Sequence, residues 1–214
     1  MNRRKFIEFS IKAIALTTLP MVNLFPRVNL SENKEKLPWS RKTFRFPLKN
    51  FKLQSGETLN EAFLFVEVNG ELNQSKSNAI IFATCFAGSH KFNQMAYGID
   101  RALNPLKYCI ITPNLFCGGY SSSPSNTSSP HDGPRFPSIT YYDNINAHDK
   151  LISEYFGITN PLTYIGFSMG AQQAFHWGAL HGDKTGGIIP ICGTAKTTTQ
   201  NWITLEGCKL ALQS

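Results

Sequence analysis

The first regular pattern along the chain is an alternation of apolar and polar positions. It runs over residues 44–53 and again over residues 61–68, with Ser55 and Gly56 between the two stretches. A period of two places successive side chains on opposite faces of a strand, and a Ser-Gly pair is typical of a turn. The pattern therefore predicts two strands paired as a hairpin.

Beyond this hairpin, continuous apolar runs alternate with stretches of helical spacing. The runs predict strands buried on both faces, whereas apolar residues every three or four positions predict helices. The predicted strands span residues 78–86, 108–113, 162–167 and 187–192, and the predicted helices span 92–103, 143–156 and 169–181. This alternation predicts the α/β fold class, with a mostly parallel sheet and helices on both faces.

A long stretch rich in Ser, Pro, Gly and Asn separates two of these elements, over residues 116–142. Structureless stretches of this length in a compact domain are usually functional or disordered. We therefore expect a functional or disordered loop there.

The sharpest motif is Gly166-Phe167-Ser168-Met169-Gly170, where a predicted buried strand passes into a predicted helix. G-x-S-x-G in that context is a nucleophile elbow, in which a tight turn lifts the serine hydroxyl out of the carboxyl end of the sheet. The alternative is a strand-to-helix turn without chemistry. We predict that Ser168 is a catalytic nucleophile.

An elbow of this kind needs two converging N–H groups that stabilise an oxyanion. One is expected from Met169, the residue after the nucleophile, at the positive end of the helix dipole. The other is expected from the loop after the earlier strand, residues 84–90, and we assign it to Phe86. The alternative for this loop is a plain connection between strand and helix.

The net charge of +7 is unevenly distributed. Residues 1–52 hold 12 Lys/Arg and 3 Asp/Glu, a net charge of +9, so the remainder of the chain carries −2. A nucleic-acid-binding face needs basic side chains spread over a folded surface, so this distribution argues against a nucleic-acid partner.

The basic N-terminal arm has the pattern of a targeting segment. Arg3 and Arg4 precede an apolar stretch, which predicts a twin-arginine-type signal over residues 1–30 and export from the cytoplasm. An ordinary basic, amphipathic arm on a cytoplasmic protein is the alternative. The polar residues 31–42 are predicted to be a linker.

Five cysteines provide neither C-x-x-C spacing nor a His/Cys cluster. Metal and cofactor sites are therefore not expected. Because Cys85, Cys109 and Cys192 lie in apolar runs, we predict that they are buried thiols.

Taken together, several stretches resemble the homoserine O-acetyltransferase family of α/β-hydrolase-fold proteins, and more closely its acetyltransferase-like branch. They are TCFAGSHKFNQ (84–94), ITPNLFCGGYSSSPSNT (111–127), GPRFPSITYYDN (133–144), GFSMGAQQAFHWGALHGD (166–183) and IIPICGTAKTTTQNWITLEG (188–207). The resemblance implies transfer of an acyl group from acyl-CoA, as a substrate, to a hydroxyl through an acyl-Ser168, with Phe86 and Met169 as oxyanion donors.

The resemblance also implies a triad in the order Ser, Asp or Glu, His. Only 46 residues follow Ser168, and their histidines, His176 and His181, are expected to be structural or surface residues. Asp183 and Glu206 are not at triad positions. We therefore expect residues 43–214 to form an incomplete α/β-hydrolase domain that ends before the last strands.

Histidines that precede Ser168 offer no stronger base. His131, beside Asp132 in the long loop, is expected to be solvated, and His148 on a predicted helix is expected on a wet face.

Three functional hypotheses remain open from the sequence. They are an acyltransferase impaired by the missing Asp and His, an esterase or other hydrolase of the same fold, and a non-catalytic truncated remnant. The expected partners are a small-molecule acyl donor and acceptor, with a homodimer or a complementing C-terminal fragment as further possibilities.

Overall fold

The computed structural model describes residues 37–213, so the predicted signal over residues 1–30 and half of the predicted linker lie outside it. The described part begins with the predicted hairpin. Strand β1 (Arg41–Lys52) pairs antiparallel with β2 (Thr58–Asn69), and Phe46 lies opposite Leu64. Both of these side chains are buried, as the alternating pattern requires.

Four short strands complete one sheet: β3 (Ala79–Ala83), β4 (Cys109–Pro113), β5 (Thr163–Phe167) and β6 (Ile188–Ile191). The strand order is β1-β2-β4-β3-β5-β6. The β3–β4, β3–β5 and β5–β6 pairs are parallel, and the hairpin joins antiparallel through β2–β4. The predicted mostly parallel sheet is confirmed.

Four α-helices lie between and after these strands: α1 (His90–Asn93), α2 (Tyr141–Lys150), α3 (Met169–His181) and α4 (Thr199–Gln213). A 3-10 turn, Gln94–Ala96, extends α1, and a π-helical turn, Leu151–Tyr155, extends α2. Among helices in the part that the model describes, none is long and apolar enough to cross a membrane.

The predicted helix over residues 92–103 is wrong beyond its first turns. The chain bends at Gly98, whose N–H donates to the Leu103 carbonyl, and Tyr97 forms a short bridge with Leu103. The segment is irregular, yet its apolar residues pack on the sheet. Their spacing along the sequence is therefore the same as that of a buried helix face.

The long loop over residues 116–142 is ordered by its serines. The hydroxyls of Ser121 and Ser122 accept hydrogen bonds from Phe65 N–H and Phe63 N–H, each at 2.9 Å. Ser121, Ser122 and Ser123 are all buried. These side chains satisfy backbone donors on the edge of β2 opposite β1, next to the residues that β4 pairs with.

The core has one large and one small part, on opposite faces of the sheet. The large part includes Tyr164, Leu151 and Trp177, and the small part surrounds Phe82 and Ile165. The face with the small part carries an apolar groove of about 670 Å³ that reaches the exposed Ile189 on the edge strand β6.

Candidate active site

Ser168 is the single residue between β5 and α3, and its backbone has φ 54° and ψ −116°. A positive φ is strained for a residue with a side chain. Hydrogen bonds on both sides hold it in place: Ser168 N–H donates to the Ile191 carbonyl at 2.8 Å, and the Ser168 carbonyl accepts from Ala171 N–H at 2.9 Å. The structure thus contains the sharp strand-to-helix bend that the motif predicts.

The glycines of the motif are required by close approach of the backbone. A Cβ on Gly166 would lie 1.9 Å from the Gly170 carbonyl oxygen, and a Cβ on Gly170 would lie 3.0 Å from the Ala83 carbonyl oxygen. A third glycine, Gly193 after β6, passes the elbow so closely that its Cβ would meet the Ser168 carbonyl oxygen at 2.7 Å. The end of β3, the elbow and the loop after β6 are therefore packed together.

The predicted oxyanion loop follows β3 as a tight turn. Gly88 N–H donates to the Cys85 carbonyl at 3.1 Å, and Ala87 between them has φ 54°. Within residues 37–213, Phe86 N–H has no hydrogen-bond acceptor. Met169 is the first residue of α3, and first-turn N–H groups have no acceptor within their helix. Both predicted donors are therefore free to bind an anion.

Ser168, Phe86 and Met169 meet at one cleft of about 400 Å³. Its other lining residues are Tyr141, Gln172, Cys192, Gly193, Thr194, Thr198, Asn201 and Leu205. Cavities of about 620 to 680 Å³ lie elsewhere on the described surface, and none of them is lined by Ser168. We regard the smaller cleft as the candidate active site because it alone holds the elbow and both donors.

Tyr141 is one of the lining residues that the sequence did not predict. It is the first residue of α2, whose start is fixed by a capping box: Thr140 Oγ1 accepts from Asp143 N–H, and the Asp143 carboxylate accepts from Thr140 N–H. The Tyr141 hydroxyl donates to Gln172 Oε1 on α3, and partial burial raises the pKa of this phenol. The T-x-x-D spacing was the signal that could have placed Tyr141 at a helix start.

Cys192 was predicted to be buried, and that prediction is wrong. The thiol is exposed and lines the Ser168 cleft, because the chain turns away from the edge strand β6 there with φ 54°. The predictions for Cys85 and Cys109 are confirmed, since both are buried. Burial raises the pKa of the Cys109 thiol to about 12.

Histidines and carboxylates do not line the Ser168 cleft in the part of the chain that the model describes. His176 packs on the Tyr141 ring at 5.3 Å, and His181 lies 3.9 Å from the Asp149 carboxylate beneath the sheet. His131 lines a different cavity, and its neighbour Asp132 pairs with Arg135.

The expectation of a wet face for His148 is wrong. The ring is fully buried, and its Nδ1 lies 2.8 Å from the Tyr164 hydroxyl. Burial lowers the pKa of His148 to about 3, because the charged imidazolium would lose its hydration. His148 is therefore a neutral core residue at physiological pH.

Candidate metal ligands do not converge in residues 37–213: no group of three or more His, Cys, Asp or Glu side chains could hold an ion there.

Comparison with known proteins agrees with this geometry. The model of the alpha/beta hydrolase fold family matches residues 78–206, from β3 into α4. An ethyl acetate hydrolase of Pseudomonas veronii is 39% identical over 155 residues, covering 72% of this chain and 44% of the relative. A homoserine O-acetyltransferase of Methanosarcina acetivorans is 32% identical over 166 residues, covering 70% of this chain and 31% of the relative.

Solved structures give the same result. An acetylester hydrolase of Corynebacterium glutamicum superposes with a TM-score of 0.71 at 35% identity, over 79% of this chain and 48% of that protein. The chain thus spans less than half the length of these relatives. The predicted fold and the predicted resemblance to homoserine O-acetyltransferases are both confirmed. Since the family model covers more than half of the chain, the protein belongs to the alpha/beta hydrolase fold family.

Proposed function

We propose that this chain carries the nucleophile and the oxyanion hole of a serine acyl-transfer site. Ser168 Oγ attacks the carbonyl carbon of an acyl donor, and the N–H groups of Phe86 and Met169 stabilise the resulting oxyanion. The alcohol or thiol of the donor leaves with a proton, and the acyl group stays on Ser168. A second nucleophile, water or an alcohol, then takes the acyl group and restores the hydroxyl.

One observation carries this proposal: the serine at a strand-to-helix bend lines a cleft together with Phe86 and Met169, whose N–H groups have no acceptor in the described part of the chain. A positive φ alone does not single out Ser168, because five other described residues with side chains share it, so the combination of the bend, the cleft and the two N–H groups carries the argument. The strain is compatible with a fold that presents the hydroxyl for reaction.

For the donor we propose a short acyl ester, with water as the second nucleophile. The support is the higher identity to the ethyl acetate hydrolase, 39%, than to the homoserine O-acetyltransferase, 32%. Acyl transfer from acyl-CoA to a homoserine-like alcohol is the second candidate, and it rests on the latter relatives and on the motifs shared with their family.

A general base is the component that the described residues do not bring to the cleft. Loss of the histidine base in triad enzymes costs about 10⁴- to 10⁶-fold in rate. We therefore propose that residues 37–213 alone turn over slowly, and that a histidine and its acid from outside this range complete the site. A complementing polypeptide is one source.

Labelling with excess fluorophosphonate over a long incubation tests the proposal in a single reaction at the serine, so the missing base slows the label without preventing it. The folded chain should label at one residue, and Ser168→Ala should abolish the label. Ser125→Ala is the matched control, because Ser125 is exposed in the long loop, away from the cleft. A folded wild-type chain that stays unlabelled would contradict the proposal.

Acetate release separates the two candidate reactions. We expect ethyl acetate to be hydrolysed at a rate that homoserine does not change. If acetyl-CoA is consumed only when homoserine is present, the transferase is the correct assignment.

A further inference from the structure

Gln173 is a fully buried polar residue on α3, five positions after Ser168. Its Nε2 donates to the Thr84 carbonyl at 2.8 Å, a contact between residues 89 positions apart. Thr84 is the first residue after β3 and opens the loop that carries Phe86. The hydrogen bond therefore joins the helix of one predicted oxyanion donor to the loop of the other.

Stability alone does not account for this amide. Its Oε1 has no partner in the described part of the chain, and neither has the buried Thr84 Oγ1 nearby. A buried acceptor without a donor weakens folding, and an apolar side chain of the same length would avoid that cost. Rotating the Gln173 amide by 180° would not satisfy Oε1, because this oxygen would then face the Thr84 carbonyl oxygen, which is also an acceptor.

Other contacts hold the end of β3 but not the loop beyond it. Gly170 on α3 passes close to the Ala83 carbonyl, and on the other side Asn93 Nδ2 donates to the Phe82 carbonyl at 3.1 Å. Past Thr84, the loop as far as Gly88 has only its own turn between Cys85 and Gly88, and the next anchor is His90, whose N–H donates to Asn114 Oδ1 at 3.0 Å. Gln173 supplies the last cross-link before Phe86.

We propose that Gln173 is a positioning residue that sets the separation of the Phe86 and Met169 N–H groups. The inference rests on the proposed function, because it assigns Gln173 a role in the same oxyanion hole. Met169 moves with α3 and Phe86 moves with the loop after β3, so the bond from Gln173 Nε2 to the Thr84 carbonyl fixes one relative to the other. Misplacement of a reacting geometry by about 1 Å can cost on the order of 100-fold in rate.

Two substitutions test the bond while preserving side-chain length. Gln173→Met removes the donor, and we expect fluorophosphonate labelling of Ser168 to slow by about 10- to 100-fold. Gln173→Glu can donate to the Thr84 carbonyl only when the carboxyl group is protonated. Its labelling rate, relative to wild type, should therefore rise as the pH falls, a profile that Gln173→Met should not show.

Gln94→Met is the matched control. Gln94 also donates through Nε2, to the Glu67 carboxylate at 2.6 Å, but it does not line the Ser168 cleft. Its loss should lower stability without changing the labelling rate of the folded fraction. If Gln94→Met and Gln173→Met slow labelling equally, the effect is general destabilisation and the positioning role is refuted.

Amide hydrogen exchange at Gly88 provides a readout that needs no reactive serine. Because Gly88 N–H is bonded to the Cys85 carbonyl within the loop, Gln173→Met should speed its exchange by at least about 10-fold while amides in β1 and β2 stay unchanged. If the wild type is not labelled, the proposed function is refuted, and hydrogen exchange at Gly88 alone then tests the positioning role of Gln173. Unchanged exchange at Gly88, or labelling of Gln173→Met at the wild-type rate, would overturn the inference.

Discussion

Acid should destabilise this protein through one buried histidine, His148, beneath the candidate site. Its ring is fully buried on α2, with Nδ1 beside the Tyr164 hydroxyl and with no partner for Nε2 in the described residues. Tyr164 lies on β5 and stacks on Trp177 of α3 at 5.0 Å. Protonation of His148 would therefore place a charge beside β5, the strand that leads into the elbow at Ser168.

The magnitude follows from the difference between the folded and unfolded pKa values. Burial lowers the folded pKa of His148 to about 3, whereas an unfolded histidine has its ordinary value of 6.5. The stabilising effect of the neutral ring is therefore complete above pH 6.5 and is lost as the pH falls, since only the unfolded chain then takes up the proton. At about 1.4 kcal/mol per pKa unit, the loss is about 2 kcal/mol at pH 5 and on the order of 5 kcal/mol at pH 3.

Urea unfolding of the wild type and of His148→Gln at pH 8 and pH 5 measures this effect. Glutamine cannot titrate but can still bond to the Tyr164 hydroxyl. The carboxylates titrate in both proteins, so the difference between the two pH dependences isolates the imidazole. We expect the wild type to lose about 2 kcal/mol more than His148→Gln. Equal losses would refute the assignment of a neutral, buried histidine.

Four other substitutions have expected outcomes. Gly166→Ala should lower the free energy of unfolding, measured by chemical denaturation, by more than about 3 kcal/mol, because its Cβ would overlap the Gly170 carbonyl oxygen. Gly207→Ala, on the open surface of α4, should raise the free energy of unfolding by about 0.5 to 1 kcal/mol. Ala87→Gly should relieve the backbone strain at φ 54° and raise the free energy of unfolding by up to about 1 kcal/mol in the same assay. Ile189→Lys on the edge strand should reduce concentration-dependent association in sedimentation velocity, and an unchanged profile would contradict this.

The strands of this fold were predictable because successive side chains point to opposite faces of the sheet, which leaves a regular pattern in the sequence. In β3, Ile81 faces the large core and Ile80 and Phe82 face the small one, so the strand is apolar at every position. The segment after α1 was not predictable in the same way. Apolar spacing reports which residues face the core, and an irregular chain that bends at Gly98 can meet that requirement as well as a helix does.

His148 shows an error that its own sequence could have prevented. Ile145, His148 and Ile152 follow one another at three and four residues, the spacing of a single helix face, and both isoleucines are buried. The pattern therefore placed His148 inside, but the polarity of the residue and its neighbour Asp149 led to the opposite prediction. Periodicity was the better guide here than residue type.

The candidate site divides similarly into a local part and a part set by tertiary structure. The elbow at Ser168 is contained in five consecutive residues, so its sequence predicts its shape. Tyr141, Gln172 and Cys192 come from three separate elements and meet only because the register of β5 and β6 and the start of α2 bring them to one edge. That convergence has no signal in any one segment.

A common physical feature links the carboxyl ends of the four parallel strands. Each is followed by a residue with a side chain and a positive φ: Ala87 after β3, Cys117 after β4, Ser168 after β5 and Cys192 after β6. Each such residue costs on the order of 1 to 2 kcal/mol, which the buried strands must offset. Three of these strained turns border the Ser168 cleft, and the elbow itself depends on the Ile191 carbonyl of β6. The folding of the sheet and the preorganisation of the proposed oxyanion hole are therefore coupled, and loss of β6 pairing should abolish labelling of Ser168 even if β5 and α3 remain.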